Sequence, residues 1–267
     1  MSRLGATFDR LQRLDEKGLI TFITAGDPNL SATVPALKKL ADAGADVLEL
    51  GVPFTDPEAD GPAIQRSSER ALLNRVTLRK TCEQVALFRQ HDEVTPVVLM
   101  GYMNPILALG IDPFAQLAAD SGVDGLIVVN LPPEEAAELN AALSPRGIDL
   151  ILLVAPTTPI ERIEALASSG SGFLYYVSIK GITGADHLDV TDVAQRVASI
   201  KKTTDLPVSV GFGIKTPEAA AAVAKVADAV VVGSALVDIL GGENAFEESL
   251  KELHALTSAL KRAIRAC

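Results

Sequence analysis

A single (β/α)8 TIM barrel over residues 1–267 is the α/β fold that this sequence predicts, on three observations. Eight short apolar runs begin 27, 50, 28, 25, 24, 33 and 22 residues apart, close to the length of one strand–helix unit. Most of the runs are continuously apolar, the pattern of a strand covered on both faces of a parallel sheet. The gaps carry helical periodicity, and no Ser/Pro/Gly-rich linker or low-complexity tract divides the chain. The rival is an open doubly wound sheet. It usually has fewer strands at this length and a Gly-rich first turn, whereas the first turn here reads TAGDPN.

The chain opens on a helical pattern that places Leu4, Phe8, Leu11 and Leu14 on one face. This helix precedes the first strand and is expected to cap the barrel floor. The strand runs are 19–24 (LITFIT), 46–51 (DVLELG), 96–102 (PVVLMGY), 124–129 (DGLIVV), 149–154 (DLILLV), 173–178 (FLYYVS), 206–212 (LPVSVGF) and 228–234 (DAVVVGS). After the first strand, Val34, Leu37, Leu40 and Ala41 share a helical face that Gly44 ends. After the fourth, LPPEEAAELNAAL opens with prolines where a missing N–H costs nothing and with glutamates that suit a positive helix start. TPEAAAAVAKV follows the seventh strand. The last helix runs from about Ala245, with Phe246, Leu250, Leu253, Leu256, Leu260 and Ile264 at three- and four-residue steps.

Composition excludes several classes. The longest apolar runs fall far short of the roughly 20 residues of a membrane span, and the start of the chain reads as an amphipathic helix rather than a signal segment. Two cysteines, Cys82 and Cys267, suit a reduced cytoplasmic protein without a disulfide framework. The net charge of −10 and the absence of Trp argue against a nucleic-acid surface. An anionic substrate would therefore have to be held by backbone N–H groups, because the overall field repels it.

Barrel chemistry sits at the C-terminal ends of the strands. In the second run side chains alternate. If Leu48 and Leu50 face the surrounding helices, Val47 and Glu49 face the barrel axis, and desolvation raises the Glu49 pKa toward a range useful for proton transfer. A structural pairing of Glu49 with a cation is the alternative, although the strand runs hold no Lys or Arg. The loop GVPFTDPEADGP (51–62) follows. Asp56 and Glu58 read equally well as solvated turn residues, whereas Asp60, just ahead of a helix, is placed to return over the mouth. Gly211-Phe212-Gly213 and Gly233-Ser234 end the seventh and eighth strands, where barrels commonly bind phosphate with backbone amides. Gly181-Ile182-Thr183-Gly184 forms a third glycine loop on the same rim. All of these glycines also fit plain turns.

What is missing narrows the chemistry further. There is no G-x-S-x-G elbow, and GFGIKT matches neither phosphate-loop fingerprint. No lysine lies inside a strand run for Schiff-base chemistry; Lys180 and Lys215 fall just beyond. His91, His187 and His254 are scattered and read as surface residues rather than metal ligands. Carboxylate acid–base chemistry without a metal is the expectation.

The segments ELGVPFTDPEADGPAIQ (49–65), TFITAGDPN (21–29), VLMGYMNPI (98–106), DGLIVVNLPPEE (124–135), YYVSIKGITGA (175–185), VGFGIKTPE (210–218) and VVVGSALV (230–237) resemble the tryptophan synthase alpha chain along essentially the whole length. The resemblance implies a lyase that cleaves indole-3-glycerol phosphate to indole and glyceraldehyde 3-phosphate. It assigns proton transfer to Glu49 and stabilisation of the indole nitrogen to Asp60. It implies that Phe22, Tyr175 and Phe212 line the indole pocket, that Thr183 belongs to a closing loop, and that Gly184, Gly213, Gly233 and Ser234 offer N–H groups to the phosphate. It implies no cofactor in this chain, the PLP belonging to a beta chain partner in an alpha2-beta2 assembly. Two positions depart from the family pattern. Glu58 stands where Leu or Met is usual, and Asn130 stands where Asp is usual. A stand-alone lyase that releases free indole, and a mainly regulatory subunit, are the alternative functions; the presence of both Glu49 and Asp60 disfavours the second.

Overall fold

A computed structural model of the chain describes residues 2–178, 190–211 and 213–267. Among them are eight strands: β1 (Gly18–Thr24), β2 (Val47–Gly51), β3 (Val97–Gly101), β4 (Gly125–Val128), β5 (Asp149–Val154), β6 (Leu174–Val177), β7 (Val208–Gly211) and β8 (Ala229–Val232). All pairings are parallel and follow chain order, and β8 pairs back onto β1 to close the barrel. The expected barrel is the observed one. Most strands are shorter than their apolar runs because the residues at each end do other work on the floor or at the rim. The long gap between β2 and β3 holds two helices, Pro62–Leu73 and Leu78–Arg89.

Strand alternation sorts the core into two shells. Leu48, Leu50, Val97, Leu99, Val208 and Val210 face outward into the layer between sheet and helices. Ile20, Val47, Val98, Ile127, Ile151, Phe173, Ala229 and Val231 fill the barrel interior. Leu4, Phe8 and Leu11 of the helix Arg3–Arg13 belong to this inner cluster, so the first helix does cap the floor. Gly125 makes room for it: a Cβ there would lie 2.9 Å from Leu4 and 2.6 Å from Ile151. Leu14, expected on the same buried face, is instead the C-cap and is 59% exposed. The helix ends one residue too early to carry it inward.

An aspartate just before a strand holds the floor in three places. Asp46 accepts the Leu19 amide at 2.9 Å and pairs with Arg10 at 2.8 Å and Lys261 at 2.5 Å. Asp124 accepts the Val97 amide at 2.8 Å and pairs with Arg89 at 2.6 Å and Arg3 at 2.9 Å. Asp228 accepts the Val208 amide at 2.9 Å and pairs with Lys201 at 2.7 Å. Each carboxylate accepts an N–H in the first two residues of the neighbouring strand and ties a helix or a helix end to the floor through a charge-assisted bond.

Candidate active site

The mouth of the barrel receives one side chain from each of several strand ends. Because Val47 points inward and Leu48 and Leu50 point outward, Glu49 points inward as the alternation requires. It stands opposite Phe22 of β1 in the strand register. Two glycines shape the wall around Phe22. A Cβ on Gly51 would come within 2.6 Å of the Phe22 ring, and one on Gly233 within 3.3 Å of its Cβ. On the other side of the barrel, Gly211 leaves the space that the Tyr175 hydroxyl takes up. A narrow cleft above is lined by Phe22, Gly51, Asp60, Met100 and Tyr102. Another hollow, between the ends of β4 and β5 and the helix Ile160–Ser169, has Arg162 in its lining. Arg162 is paired there with Glu134, and no carboxylate pair is among the described residues that line that hollow.

Glu49 is 1% exposed, and neither of its carboxylate oxygens has a hydrogen-bond partner among the described residues. Burial pushes its pKa up to about 8, and the negative charge of Asp60 adds to the rise. Asp60 is raised less, to about 6, by burial, and a hydrogen bond from Tyr102 works against the rise. Near pH 7 the first carboxyl is therefore mostly protonated and the second mostly ionised. Two carboxylates whose environments push their pKa values apart are suited to complementary acid and base roles. Burial also raises Tyr175, with Glu49 adding to the shift, so its phenol stays neutral.

Asp60 reaches the mouth because its loop is tied at several points. Its own amide bonds the Pro57 carbonyl at 3.1 Å. Gln65, in the first turns of the helix Pro62–Leu73, donates to the Asp60 carbonyl at 2.9 Å. The Tyr102 hydroxyl donates to Asp60 Oδ2 at 3.2 Å and accepts the Ala59 amide at 3.1 Å. Tyr102 is a site residue that sequence reasoning missed. The available signal was its place as the last residue of the third apolar run, where a side chain at the rim meets the loop of the preceding strand.

The remaining expected site residues divide. Phe22, Glu49, Asp60 and Tyr175 surround the cleft or lie just beneath it. Gly233 is the N-cap of the helix Ser234–Leu240, and Gly213 lies exposed at φ 72° with open space beside it. Both are at the rim expected for phosphate. Thr183, Gly184 and Phe212 lie outside the described residues. Glu58 and Asp56 are exposed on the β2 loop. Asn130 accepts the Met103 amide at 2.8 Å and donates to Asn104 at 3.2 Å, so this departure from the family pattern ties the β4 loop to the helix Met103–Leu109. Among the described residues no cluster of His, Cys, Asp and Glu is arranged to hold a metal, and no helix is long and apolar enough to cross a membrane.

Residues 8–265 match the family model described as the tryptophan synthase alpha chain. A tryptophan synthase alpha chain of Methylococcus capsulatus is 51% identical over 267 residues, the full length of both chains. One from Chromobacterium violaceum is 52% identical, covering 99% of this chain and all of the other. Among solved structures, tryptophan synthase subunit alpha from Legionella pneumophila superposes with a TM-score of 0.92 at 42% identity over the whole of both chains. A chain of tryptophan synthase from M. tuberculosis, in an aminoacrylate-bound form, gives 0.88 at 37% identity over 99% of this chain and all of that one.

Proposed function

The chain belongs to the tryptophan synthase alpha chain family, lyases that act on indole-3-glycerol phosphate, and we propose that Glu49 and Asp60 carry its retro-aldol cleavage. The supporting observation is a fully buried carboxyl and a half-buried one, with separated pKa values, at the barrel mouth. Glu49, protonated at the start, gives its proton to C3 of the indole ring, and the ring becomes an indolenine. Asp60, ionised, offsets the positive charge that develops at the ring nitrogen. The Glu49 carboxylate then takes the proton of the glycerol hydroxyl next to the ring. The O–H electrons form the aldehyde, the C–C bond breaks, and its electron pair restores the indole. Indole and glyceraldehyde 3-phosphate are released, and Glu49 is protonated again.

The other parts of the reading are the family's, carried onto this chain. Phe22, Tyr175 and Phe212 flank the indole, and Thr183 belongs to the loop that closes over it and excludes water. Gly184, Gly213, Gly233 and Ser234 hold the phosphate through backbone N–H groups, which suits a chain of net charge −10. Residues 1–267 form one catalytic domain, cytoplasmic and without a cofactor of its own. It passes indole to a PLP-bearing beta chain in an alpha2-beta2 assembly.

Kinetics on two isosteric variants test the assignment. Glu49→Gln keeps the shape and loses the proton, so kcat should fall by at least about 10²–10⁴-fold. Asp60→Asn should also lower kcat, because a neutral amide cannot balance the ring charge. A rise in KM alone would make Asp60 a binding residue. Crystals soaked with glycerol phosphate locate the phosphate site more cleanly than Gly233→Val, since a side chain there would also press on Phe22.

A further inference from the structure

We propose that Tyr102 is a positioning residue for the cleavage, its hydroxyl fixing the Asp60 carboxylate and the loop that carries it. The inference rests on Asp60 being catalytic.

Three contacts make the case. The hydroxyl lies between two groups of adjacent residues, donating to Asp60 Oδ2 at 3.2 Å and accepting from the Ala59 amide at 3.1 Å. One oxygen therefore sets both the backbone and the side chain at the end of the β2 loop. The ring stacks on Phe54 of the same loop, with centroids 4.9 Å apart and planes 28° apart, so the loop is gripped at its start and at its end. The tyrosine is itself held. It is 5% exposed, and the amide of the next residue, Met103, is bonded to Asn130 of the β4 loop. Three strand ends are thus locked together around one carboxylate.

The geometry has a chemical consequence. Tyr102 is the only hydrogen-bond partner of the Asp60 side chain among the described residues. The charged and titratable groups around this contact are Glu49 beneath it on β2, whose pKa Asp60 raises, and Glu58 on the loop itself, which acts on the phenol. All are acidic, so among the described residues no cation favours the Asp60 carboxylate here, and the phenol donor alone lowers its pKa. Burial and the neighbouring carboxylates keep the phenol protonated, and hence a donor, across the working pH range.

The test is Tyr102→Phe in the full chain. Cleavage of indole-3-glycerol phosphate is followed from about pH 5 to pH 9, with thermal melting as a check on folding. Loss of a hydrogen bond to a charged group should move the acidic limb of kcat upward by about one pH unit. That is about a fivefold loss near pH 6 that disappears toward pH 8. In an Asp60→Asn background the same change should cost nothing further. A limb that does not move, or a loss equal at every pH and undiminished in the Asp60→Asn background, overturns the positioning role. If Asp60→Asn by itself keeps wild-type kcat, the assignment of the site falls, and this inference falls with it.

Discussion

A carboxyl group that is 1% exposed and has no hydrogen-bond partner among the described residues is more stable protonated than ionised. For Glu49 this links activity and stability through one proton. The proposed roles need Glu49 protonated and Asp60 ionised, so kcat/KM for the cleavage should be bell-shaped, rising through about pH 6 and falling through about pH 8. A profile still rising above pH 9 would contradict the roles. The folded-state pKa of Glu49 is raised, so its contribution to stability is complete below its unfolded value of 4.5 and is lost as pH rises through about 8. Glu49→Gln has no proton to lose. Its unfolding free energy should match that of the wild type near pH 5 and exceed it near pH 9 by several kcal/mol, at about 1.4 kcal/mol per pKa unit, with a correspondingly higher melting temperature. Equal melting temperatures at both pH values would mean that Glu49 ionises without cost.

At the scale of elements, the barrel separates its two ends. The mouth carries the carboxyls, and the floor carries Asp46, Asp124 and Asp228 with their basic partners. Asp124 is 3% exposed and is bonded to Arg3, Arg89 and the Val97 amide. Asp124→Ala leaves Arg89, with only 10% of its side chain exposed, without its carboxylate. It should cost about 3 kcal/mol in urea unfolding, with kcat nearly unchanged under conditions where the variant is folded, because the floor is remote from the chemistry. A large drop in kcat without loss of stability would refute this division. The mouth loops depend on equally specific ties. Asp27, 2% exposed in the β1 loop, accepts from Arg70 Nε at 2.6 Å and from Arg70 Nη2 at 2.8 Å, and Arg70 lies on the helix Pro62–Leu73 that follows Asp60. The site therefore rests on loops fastened to one another as well as on the strands.

Over the whole molecule, the outer side of the β2 loop bears on association. Tyr102 grips this loop from within, stacked on its Phe54, while Glu58 is exposed on it, at a position where the resemblance leads one to expect Leu or Met. A carboxylate brought into a desolvated interface costs affinity unless a cation meets it. Glu58→Leu should therefore tighten binding to a beta chain from another family member, by about tenfold for each 1.4 kcal/mol recovered. The rate of the isolated lyase should stay the same. Titration of both chains against one beta chain decides this, and equal affinities would make position 58 an ordinary solvated residue.

The barrel and the inward-facing carboxyl of Glu49 were legible in the chain itself. Eight apolar runs at near-regular spacing leave few ways to bury them, and the period of two along a strand fixes that Glu49 faces inward once Leu48 and Leu50 face the helices. The floor aspartates were equally visible as Asp before the second, fourth and eighth strands, yet their role was not. The amides and cations they satisfy come from residues 27, 35 or even 215 positions away. Tyr102 was hidden for the same reason: it meets Asp60 across 42 residues of chain. Periodicity reports which face of an element a side chain occupies. It does not report which loops converge over that face. Asp60 could be placed near the mouth from its loop, but its raised pKa, its hydrogen bond and the separation of its proton from that of Glu49 arise from burial and neighbours that exist only after the barrel closes.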